Sequence, residues 1–148
     1  DNKSGMYIGT AGKGLLYCED NQEKIIQIPL YIKGKLRWDY HVQGMDFDKT
    51  GKLWCFVQGA GLVTVDTAAR KLVVAFSDFA NGDIILCDQF SNVWVGIEGG
   101  LLKYNILNKT YYNYTNQEIQ YPISDLMYKP DKRELWIATN GNGVVKYS

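Results

Sequence analysis

One short pattern recurs four times along this chain and restricts the folds that the chain can adopt. Each copy has an aromatic residue, a glycine-rich turn and then a Gly-apolar pair, whose apolar member lies 7 or 8 residues after the aromatic. The aromatic residues are Tyr7, Trp54, Trp94 and Trp136, and the paired glycines are Gly14, Gly61, Gly100 and Gly143. Successive aromatics are 47, 40 and 42 residues apart. This period predicts a repeat protein whose units bury apolar faces against one another.

Each copy also predicts a set of short β-strands. The runs that contain the tryptophans, LWCFV, VWVGI and LWIAT, are apolar at nearly every position, which is typical of strands covered on both faces. Other apolar runs precede and follow them across turns rich in Gly, Asp and Asn. A four-stranded antiparallel unit about every 40 residues indicates the blade of a β-propeller. The predicted fold class is therefore all-β, with β-propeller-type blades.

The strand pattern predicts a partial propeller of about 3.5 blades. It opens at the second strand of one blade and closes at the third strand of another, which makes 14 strands in a single propeller segment, residues 1–148. The predicted divisions are a partial blade at 1–43, blades at 44–80 and 81–116, and a partial blade at 117–148. Because exposed strand edges recruit other strands, the expected partners are further blades of a parent chain or a second copy.

Four segments carry a resemblance to a known repeat. GKLWCFVQGAGLVTVD, SNVWVGIEGGLLKYN and RELWIATNGNGVVKYS resemble the two-component regulator propeller repeat, and GMYIGTAGKGLLYCED resembles it with Tyr7 in place of the tryptophan. The chain departs from the repeat pattern at Cys55 and Phe56, which replace the usual Ile-Gly, at Ile97, which replaces Thr, and at Val144, which replaces Leu. The four copies extend the resemblance over nearly the whole chain.

The resemblance implies a role in sensing. Repeats of this family form the periplasmic sensor regions of hybrid two-component histidine kinases, where propellers bind, or frame the recognition of, oligosaccharides released from polysaccharides. The implied function is a non-catalytic extracytoplasmic segment that contributes to oligosaccharide sensing and signal transduction. In full proteins of this family a transmembrane helix and kinase segments follow the propellers, and we find no kinase residues in this chain.

Composition and motifs argue against several other functions. Sixteen basic and 16 acidic residues leave no charge excess for nucleic-acid binding. A single histidine cannot supply a multi-His metal site, and the sequence has neither a nucleophile elbow nor a P-loop. The three cysteines, Cys18, Cys55 and Cys87, show no disulfide or zinc spacing. No apolar run approaches the ~20 residues that cross a bilayer. We therefore expect no cofactor, no metal and no membrane span in this segment.

One segment interrupts the repeat. The first interval is longer than the others, and the surplus falls in residues 31–44, YIKGKLRWDYHVQG. Insertions in repeat proteins collect on one face, often the binding face, and this link should open at the end that carries the glycine-rich turns. Aromatic faces beside cationic donors suit a sugar ring with an anionic group. The candidate ligand residues are Tyr31, Lys35, Arg37, Trp38, Tyr40 and His41.

Other interpretations stay open at the level of the sequence. Trp38 can instead plug a gap between blades while the lysines and the arginine are solvated. The tyrosines of residues 110–122 form either a second aromatic cluster or the packing of a blade edge. For the whole chain, the alternatives are a propeller scaffold for protein–protein interaction or dimerisation without a small ligand, and a carbohydrate-active enzyme. The fold alone does not choose among them.

Overall fold

The computed structural model describes residues 5–20, 23–79 and 81–148, which form 16 β-strands and no helix. Blade I contains β1 (Gly5–Gly9), β2 (Leu15–Glu19) and β3 (Ile25–Ile28). An insert hairpin follows, with β4 (Leu30–Ile32) and β5 (Lys35–Arg37). Blade II contains β6 (Val42–Phe47), β7 (Leu53–Val57), β8 (Gly61–Asp66) and β9 (Lys71–Phe76). Blade III contains β10 (Gly82–Cys87), β11 (Asn92–Ile97), β12 (Gly100–Asn105) and β13 (Tyr111–Tyr114). Blade IV contains β14 (Ile123–Lys129), β15 (Glu134–Thr139) and β16 (Gly143–Tyr147).

The strands of each blade are antiparallel and lie side by side in chain order. Neighbouring blades meet along their first strands, β6 beside β10 and β10 beside β14. At one such contact the backbone N–H of Cys87 donates to Oδ2 of Asp46 at 2.7 Å. Sequential meanders stacked face to face are the architecture of a partial β-propeller, which confirms the predicted fold class.

The apolar cores lie between successive blades. Cys55 packs toward blade I with Leu15, whereas its neighbour Phe56 packs toward blade III with Val93. A third core, around Trp94, joins blades III and IV. Because successive residues of a strand point to opposite faces, a strand between two neighbours is expected to be apolar on both faces. All of β7 and all of β11 are accordingly buried, as their sequences predict.

The tryptophan of blade II is held by an aspartate six residues earlier. Trp54 is only 3 % exposed, and its Nε1–H donates to Oδ2 of Asp48 at 2.9 Å. The other oxygen, Oδ1, accepts the backbone N–H groups of Thr50 at 2.8 Å and Lys52 at 3.1 Å. Burial would raise the pKa of Asp48, but the hydrogen bonds from Thr50, Trp54 and Lys52 outweigh it and lower the pKa below 3.8. The turn and the indole are thus fixed by one carboxylate.

Blade III repeats this arrangement and blade IV does not. Nε1 of Trp94 donates to Oδ2 of Asp88 at 2.8 Å. In blade IV the corresponding position is Pro130, which has no carboxylate, and Trp136 donates instead to Oε2 of Glu134 at 3.2 Å. The sequence predicts turns rich in Asp and Asn, but the bond from the aspartate to the indole was not predicted.

Two glycine-rich turns are closed by a threonine at the end of the strand that precedes the turn, β1 in blade I and β15 in blade IV. Oγ1 of Thr10 donates to the carbonyl of Gly14 at 2.8 Å, and Oγ1 of Thr139 donates to that of Gly143 at 3.0 Å. Both glycines have positive φ, 65° and 68°, a conformation that costs other residues steric strain. The Thr and Gly positions of the repeat are therefore linked through one hydrogen bond.

The strand count differs from the prediction in one place. The blades themselves contain the 14 predicted strands, and the insert hairpin adds β4 and β5, which gives 16 in the described residues. The sequence run KIIQIPL, residues 24–30, divides at Pro29. Proline has no N–H to donate to a ladder, so β3 ends before it and β4 begins after it in a different sheet.

Candidate functional site

The insert hairpin is a local product of its sequence. β4 and β5 are joined by Lys33 and Gly34, which both have positive φ, 49° and 75°. A two-residue turn with positive φ at both positions matches the twist of the flanking strands and favours a tight hairpin. The insertion is therefore an ordered element with a defined register.

The insert hairpin extends the outer edge of blade II. β4 pairs in parallel with β9, with Leu30 opposite Leu72 and Tyr31 opposite Val73. The backbone N–H of Leu72 also donates to the carbonyl of Pro29 at 2.8 Å. The chain thus leaves the outer strand of blade I, pairs with the outer strand of blade II and returns inward along residues 38–41, which we call the return segment.

The return segment lies over the glycine-rich turn of blade I. Nε2 of Gln27 donates to the carbonyls of Lys13 at 2.9 Å and Trp38 at 2.7 Å, and Nζ of Lys13 lies 3.5 Å from Oδ1 of Asp39. The N–H of Gly14 donates to the carbonyl of Tyr40 at 2.8 Å. These contacts place the inserted residues at the end of the blades that carries the glycine-rich turns, as the sequence predicts.

Tyr40 lies beneath this surface. It is 8 % exposed; its hydroxyl accepts the N–H of Leu15 at 3.0 Å and donates to the carbonyl of Ile28. Burial raises the pKa of Tyr40 to about 12. A Cβ atom on Gly14 would overlap the Tyr40 ring, so the repeat glycine leaves room for it. The structure therefore gives Tyr40 a packing role between blades, although the sequence analysis grouped it with the ligand residues.

His41 joins two blades. Its carbonyl accepts the N–H of Gln58 at 3.0 Å, and its Nδ1 lies 3.3 Å from Oε1 of the same glutamine, which belongs to the glycine-rich turn of blade II. His41 also forms a β-bridge with Ala11 in the turn of blade I. The residue is half-buried, so its ring combines a structural contact with partial access to solvent.

The remaining candidates are exposed but do not share one face. Tyr31 is opposite Leu36 in the hairpin, whereas Arg37 is opposite Leu30 and Lys35 is opposite Ile32. Because directly opposed residues share a face, Tyr31 lies on one side of the hairpin and the two cations lie on the other.

A lysine on the neighbouring strand β9 lies over the ring of Tyr31. Nζ of Lys71, on β9, lies 4.2 Å from the centre of the Tyr31 ring. A groove of about 540 Å³ runs beside this ring to the glycine-rich turn of blade II. Its lining residues are Tyr31, Ile32, Lys33, Gly59, Ala60, Val73, Val74 and Ser77.

Trp38 is the most accessible aromatic of the predicted set. It is 48 % exposed and continues directly from Arg37, above the turn that contains Lys13. Its exposure excludes the alternative in which Trp38 plugs a gap between two blades. The structure adds Lys13, Gln58 and Lys71, which are distant in sequence and approach the insert only through strand pairing and the return segment.

Two of the cysteines lie in surroundings that disfavour the thiolate. Burial raises the pKa of Cys55 to about 12, and burial together with nearby Asp46, Asp48 and Asp88 raises that of Cys87. Across residues 5–20, 23–79 and 81–148, no group of three or more His, Cys, Asp and Glu side chains is arranged to hold a metal ion. The same residues contain no helix long and apolar enough to span a membrane.

No family model matches this chain, and no curated protein matches it in sequence. Solved structures do match. The extracellular domain of BT3049, described as a hybrid two-component system from B. thetaiotaomicron, superposes with a TM-score of 0.71 at 21 % identity, over 97 % of this chain and 19 % of that one. The extracellular domain of BT4673, a hybrid two-component system from the same organism, superposes with a TM-score of 0.73 at 18 % identity. That match covers 98 % of this chain and 20 % of the other.

A third match comes from another system. PorZ, a bacterial surface component of the type-IX secretion system of Porphyromonas gingivalis, matches with a TM-score of 0.72 at 16 % identity, over 99 % of this chain and 23 % of that one. The chain has the fold of these domains. It spans about a fifth of the length of each of these three structures. The two B. thetaiotaomicron structures agree with the resemblance of the repeats to the two-component regulator propeller.

Proposed function

We propose that this chain is a non-catalytic, extracytoplasmic sensor segment of a hybrid two-component histidine kinase. It would contribute to oligosaccharide sensing, with the insert surface, defined as Lys35, Arg37, Trp38 and His41, as the contact region; Tyr31, on the other side of the hairpin, lies outside it. The 148 residues would form one propeller segment, with blades at 1–43, 44–80, 81–116 and 117–148, completed by further blades of a parent chain or by a second copy.

The observation that carries this proposal is the ordered exposure of Trp38. Its backbone is fixed by Gln27, and the residue remains 48 % exposed next to the ion pair of Lys13 and Asp39. An accessible indole held by a rigid backbone, with side-chain hydrogen-bond donors and acceptors beside it, matches the apolar ring face and hydroxyl rim of a sugar. The matched extracellular domains support the sensing role.

The same contacts offer a route from ligand to signal. The return segment touches the turns of both blade I and blade II, through Tyr40 and His41. A ligand that favours one relative position of these two blades would shift the population toward it, in proportion to its difference in affinity for the two states. Signalling in this proposal is therefore a change of blade geometry transmitted along the parent chain.

Calorimetric titration with a panel of acidic and neutral oligosaccharides tests the proposal. We expect Trp38→Ala and Arg37→Ala each to weaken the binding of the best ligand by about tenfold or more, because each removes a direct contact. Tyr112→Ala and Lys132→Ala, which change an exposed aromatic and an exposed cation away from the insert, are the matched controls. Unchanged affinity in both insert variants would exclude the insert surface as the contact region.

A scaffold function is the second candidate, and the outer edge of blade III favours it. Tyr112 is 69 % exposed on β13, an edge strand of its sheet. Exposed edges with aromatic side chains can pair with another protein. Analytical ultracentrifugation of the unsubstituted protein and of the Tyr112→Lys variant separates the two functions. If β13 is a docking edge, the variant should no longer associate, whereas its oligosaccharide binding should be unchanged.

A further inference from the structure

A pocket lies between blades I and II, at the end of the blades opposite the glycine-rich turns. We call it the interblade pocket. Its volume is about 580 Å³, which is within the range of small-molecule sites. Its aromatic walls are Tyr7, Tyr17 and Phe47, and its aliphatic floor is Ile26, Ile28 and Val65. None of these residues belongs to the insert surface.

The interblade pocket lies where the neighbouring interface holds an aromatic ring. Four residues after the repeat glycine, blade III has Tyr104 and blade II has Val65. The ring of Tyr104 packs against both Trp54 and Phe76 and fills the interface between blades II and III. Val65 is buried in the same way, at 4 % exposure, in the core that joins blades I and II, but it has no ring. The pocket therefore includes the space of an absent phenol ring.

Three aromatic side chains surround this space. The ring centres of Tyr7 and Tyr17 are 4.7 Å apart and tilted, and Phe47 meets Tyr7 edge-on at 6.1 Å. Aromatic rings favour tilted and edge-on contacts, which contribute more than the burial of their area alone. Tyr7 and Tyr17 are half-buried, whereas Phe47 is 51 % exposed. One side of the cluster is thus open, and a further ring can join it there.

The floor of the interblade pocket offers no side-chain hydrogen bond. Ile28 and Val65 are only 5 % and 4 % exposed, and Ile26 packs beside them in the same core. A hydroxyl group seated against these side chains would lose its hydration without gaining a partner. A sugar, with hydroxyl groups around its whole ring, is therefore a poor match for the floor. An aromatic ring is a good match, because its faces need no hydrogen bonds.

The polar side chains of the interblade pocket border its mouth. Thr67 and Arg70 are exposed in the turn between β8 and β9, and Glu19 ends β2. One carboxylate and one guanidinium give the mouth no excess of either charge. The hydroxyl of Thr67 can donate or accept a hydrogen bond. These features match a neutral ring that is apolar over most of its surface and polar at one edge.

We propose that the interblade pocket binds a neutral phenol ring in the place that Tyr104 fills in the neighbouring interface. The ring lies against Ile28 and Val65, and its hydroxyl faces the mouth. This site is independent of the proposed oligosaccharide contact, which lies at the other end of the blades. Because residues of both blades border the pocket, a bound ring favours one spacing of blades I and II. A free phenolic compound and the tyrosine of a peptide offer the same ring.

Titration of the full chain with p-cresol tests the proposal. The methyl signals of Ile28 and Val65 are followed by NMR, with those of Ile137, between blades III and IV, as the internal reference. We expect saturable shifts at Ile28 and Val65 alone. 4-Methylcyclohexanol should bind at least about threefold more weakly, because it cannot make ring–ring contacts. Unmoved signals with p-cresol, equal binding of 4-methylcyclohexanol, or binding of methyl glucoside at these methyl groups would overturn the inference.

N-acetyltyrosinamide distinguishes the two sources of the ring. If it moves the signals of Ile28 and Val65 as p-cresol does, the mouth admits a tyrosine carried on a peptide. If p-cresol alone moves them, the ligand is a free phenolic compound.

Two substitutions of Val65 connect the binding to the interblade pocket. Val65→Tyr supplies the absent ring, and we expect it to abolish both p-cresol binding and the rise in unfolding temperature that p-cresol causes. Val65→Leu fills the space in part and should weaken binding by about threefold or more, so it keeps the test decisive if Val65→Tyr does not fold. Tyr112→Ala, at an exposed aromatic of β13, is the control. Unchanged p-cresol binding in the folded Val65 variants would exclude the pocket.

The reciprocal substitution tests the argument from the absent ring. Tyr104→Val empties the corresponding buried position between blades II and III. Apolar cavities of this kind bind small aromatic molecules, so we expect the folded variant to take up a second molecule of p-cresol and the indole signal of Trp54 to shift. A folded Tyr104→Val protein whose Trp54 signal does not respond to p-cresol would contradict the correspondence between the two interfaces.

Discussion

The two sides of blade II use the same repeat positions but fill them differently. Toward blade III, Trp54 packs against Tyr104 with ring centres 6.0 Å apart, and Phe76 lies 5.8 Å from the same tyrosine. Three large aromatic side chains therefore close this interface. Trp54 and Tyr104 are each only 3 % exposed.

Toward blade I the corresponding positions are smaller. Tyr7 replaces the tryptophan, Val65 stands where blade III has Tyr104, and Ile28 stands where blade II has Phe76. A pocket of about 580 Å³ lies here, bordered by Tyr7, Tyr17, Ile28, Phe47 and Val65 among others. The repeat thus specifies the backbone of every blade, whereas the side-chain volume of each interface is set separately.

The largest effect is expected from a substitution in the interface between blades II and III. Trp54→Ala should lower the free energy of unfolding by about 3–5 kcal/mol, because it removes both a buried ring and the hydrogen bond to Asp48. Tyr7→Ala, at the corresponding half-buried position, should cost on the order of 1–2 kcal/mol. Urea denaturation of both variants measures the difference, and equal costs would show that the two interfaces contribute alike.

The next largest effect concerns Asp48, whose carboxylate holds Trp54 in the interface between blades II and III. Asp48→Asn should cost about 1.5–3 kcal/mol at pH 7, because hydrogen bonds to an ionised group are stronger than neutral ones. The pKa of Asp48 is lowered in the fold, so its carboxylate stabilises the protein above pH ~4 and this contribution is lost as the pH falls through the lowered pKa. Parent and variant stabilities should converge in acid. A difference that persists undiminished at pH 2 would contradict this assignment.

Tyr40→Phe tests the less filled interface, between blades I and II. The hydroxyl of Tyr40 bridges Leu15 and Ile28, so its removal leaves a buried N–H and a buried carbonyl unpaired, at a cost of about 1–3 kcal/mol. The pKa of Tyr40 is raised to about 12, so the neutral hydroxyl adds stability below pH ~10, which is lost between pH ~10 and 12. Alkaline denaturation should therefore be shallower in the variant. Tyr121→Phe, at an exposed position, is the control.

The smallest effect is a gain. Val65→Tyr gives the interface between blades I and II the tyrosine that blade III has at the corresponding position, Tyr104. We expect this variant to be more stable by about 0.5–1 kcal/mol. Its counterpart, Tyr104→Val, should destabilise by about 2–4 kcal/mol, because it empties a buried position. Chemical denaturation of the pair tests whether side-chain volume alone distinguishes the interfaces. A loss of stability in Val65→Tyr would mean that blades I and II cannot separate enough to admit the ring.

Much of the fold was predictable because its signals are local. The apolar continuity of LWCFV and VWVGI indicated strands covered on both faces, and β7 and β11 are fully buried. The constant spacing from aromatic to glycine indicated the hairpins. The bond from Asp48 to Trp54 could also have been found, since an aspartate stands six residues before the tryptophan in both complete blades.

The candidate site was only partly predictable. Its position at the glycine-turn end follows from the order of strands in a blade, but the separation of Tyr31 from Lys35 and Arg37 depends on the register of the hairpin. The burial of Tyr40 depends on the space left by Gly14, 26 positions earlier. Sequence patterns report which residue types alternate along one strand, and they carry no information on which distant strand will lie beside it.

By itself, then, the sequence determined that this protein consists of antiparallel blades of three or four strands stacked face to face, because strand period and turn chemistry act over a few residues. Only the tertiary structure decided that the insertion pairs with β9, that Trp38 faces solvent while Tyr40 is buried, and that Tyr7, Phe47 and Val65 border one pocket. The reason is physical: these contacts join residues from different blades, and their geometry exists only when the blades have packed.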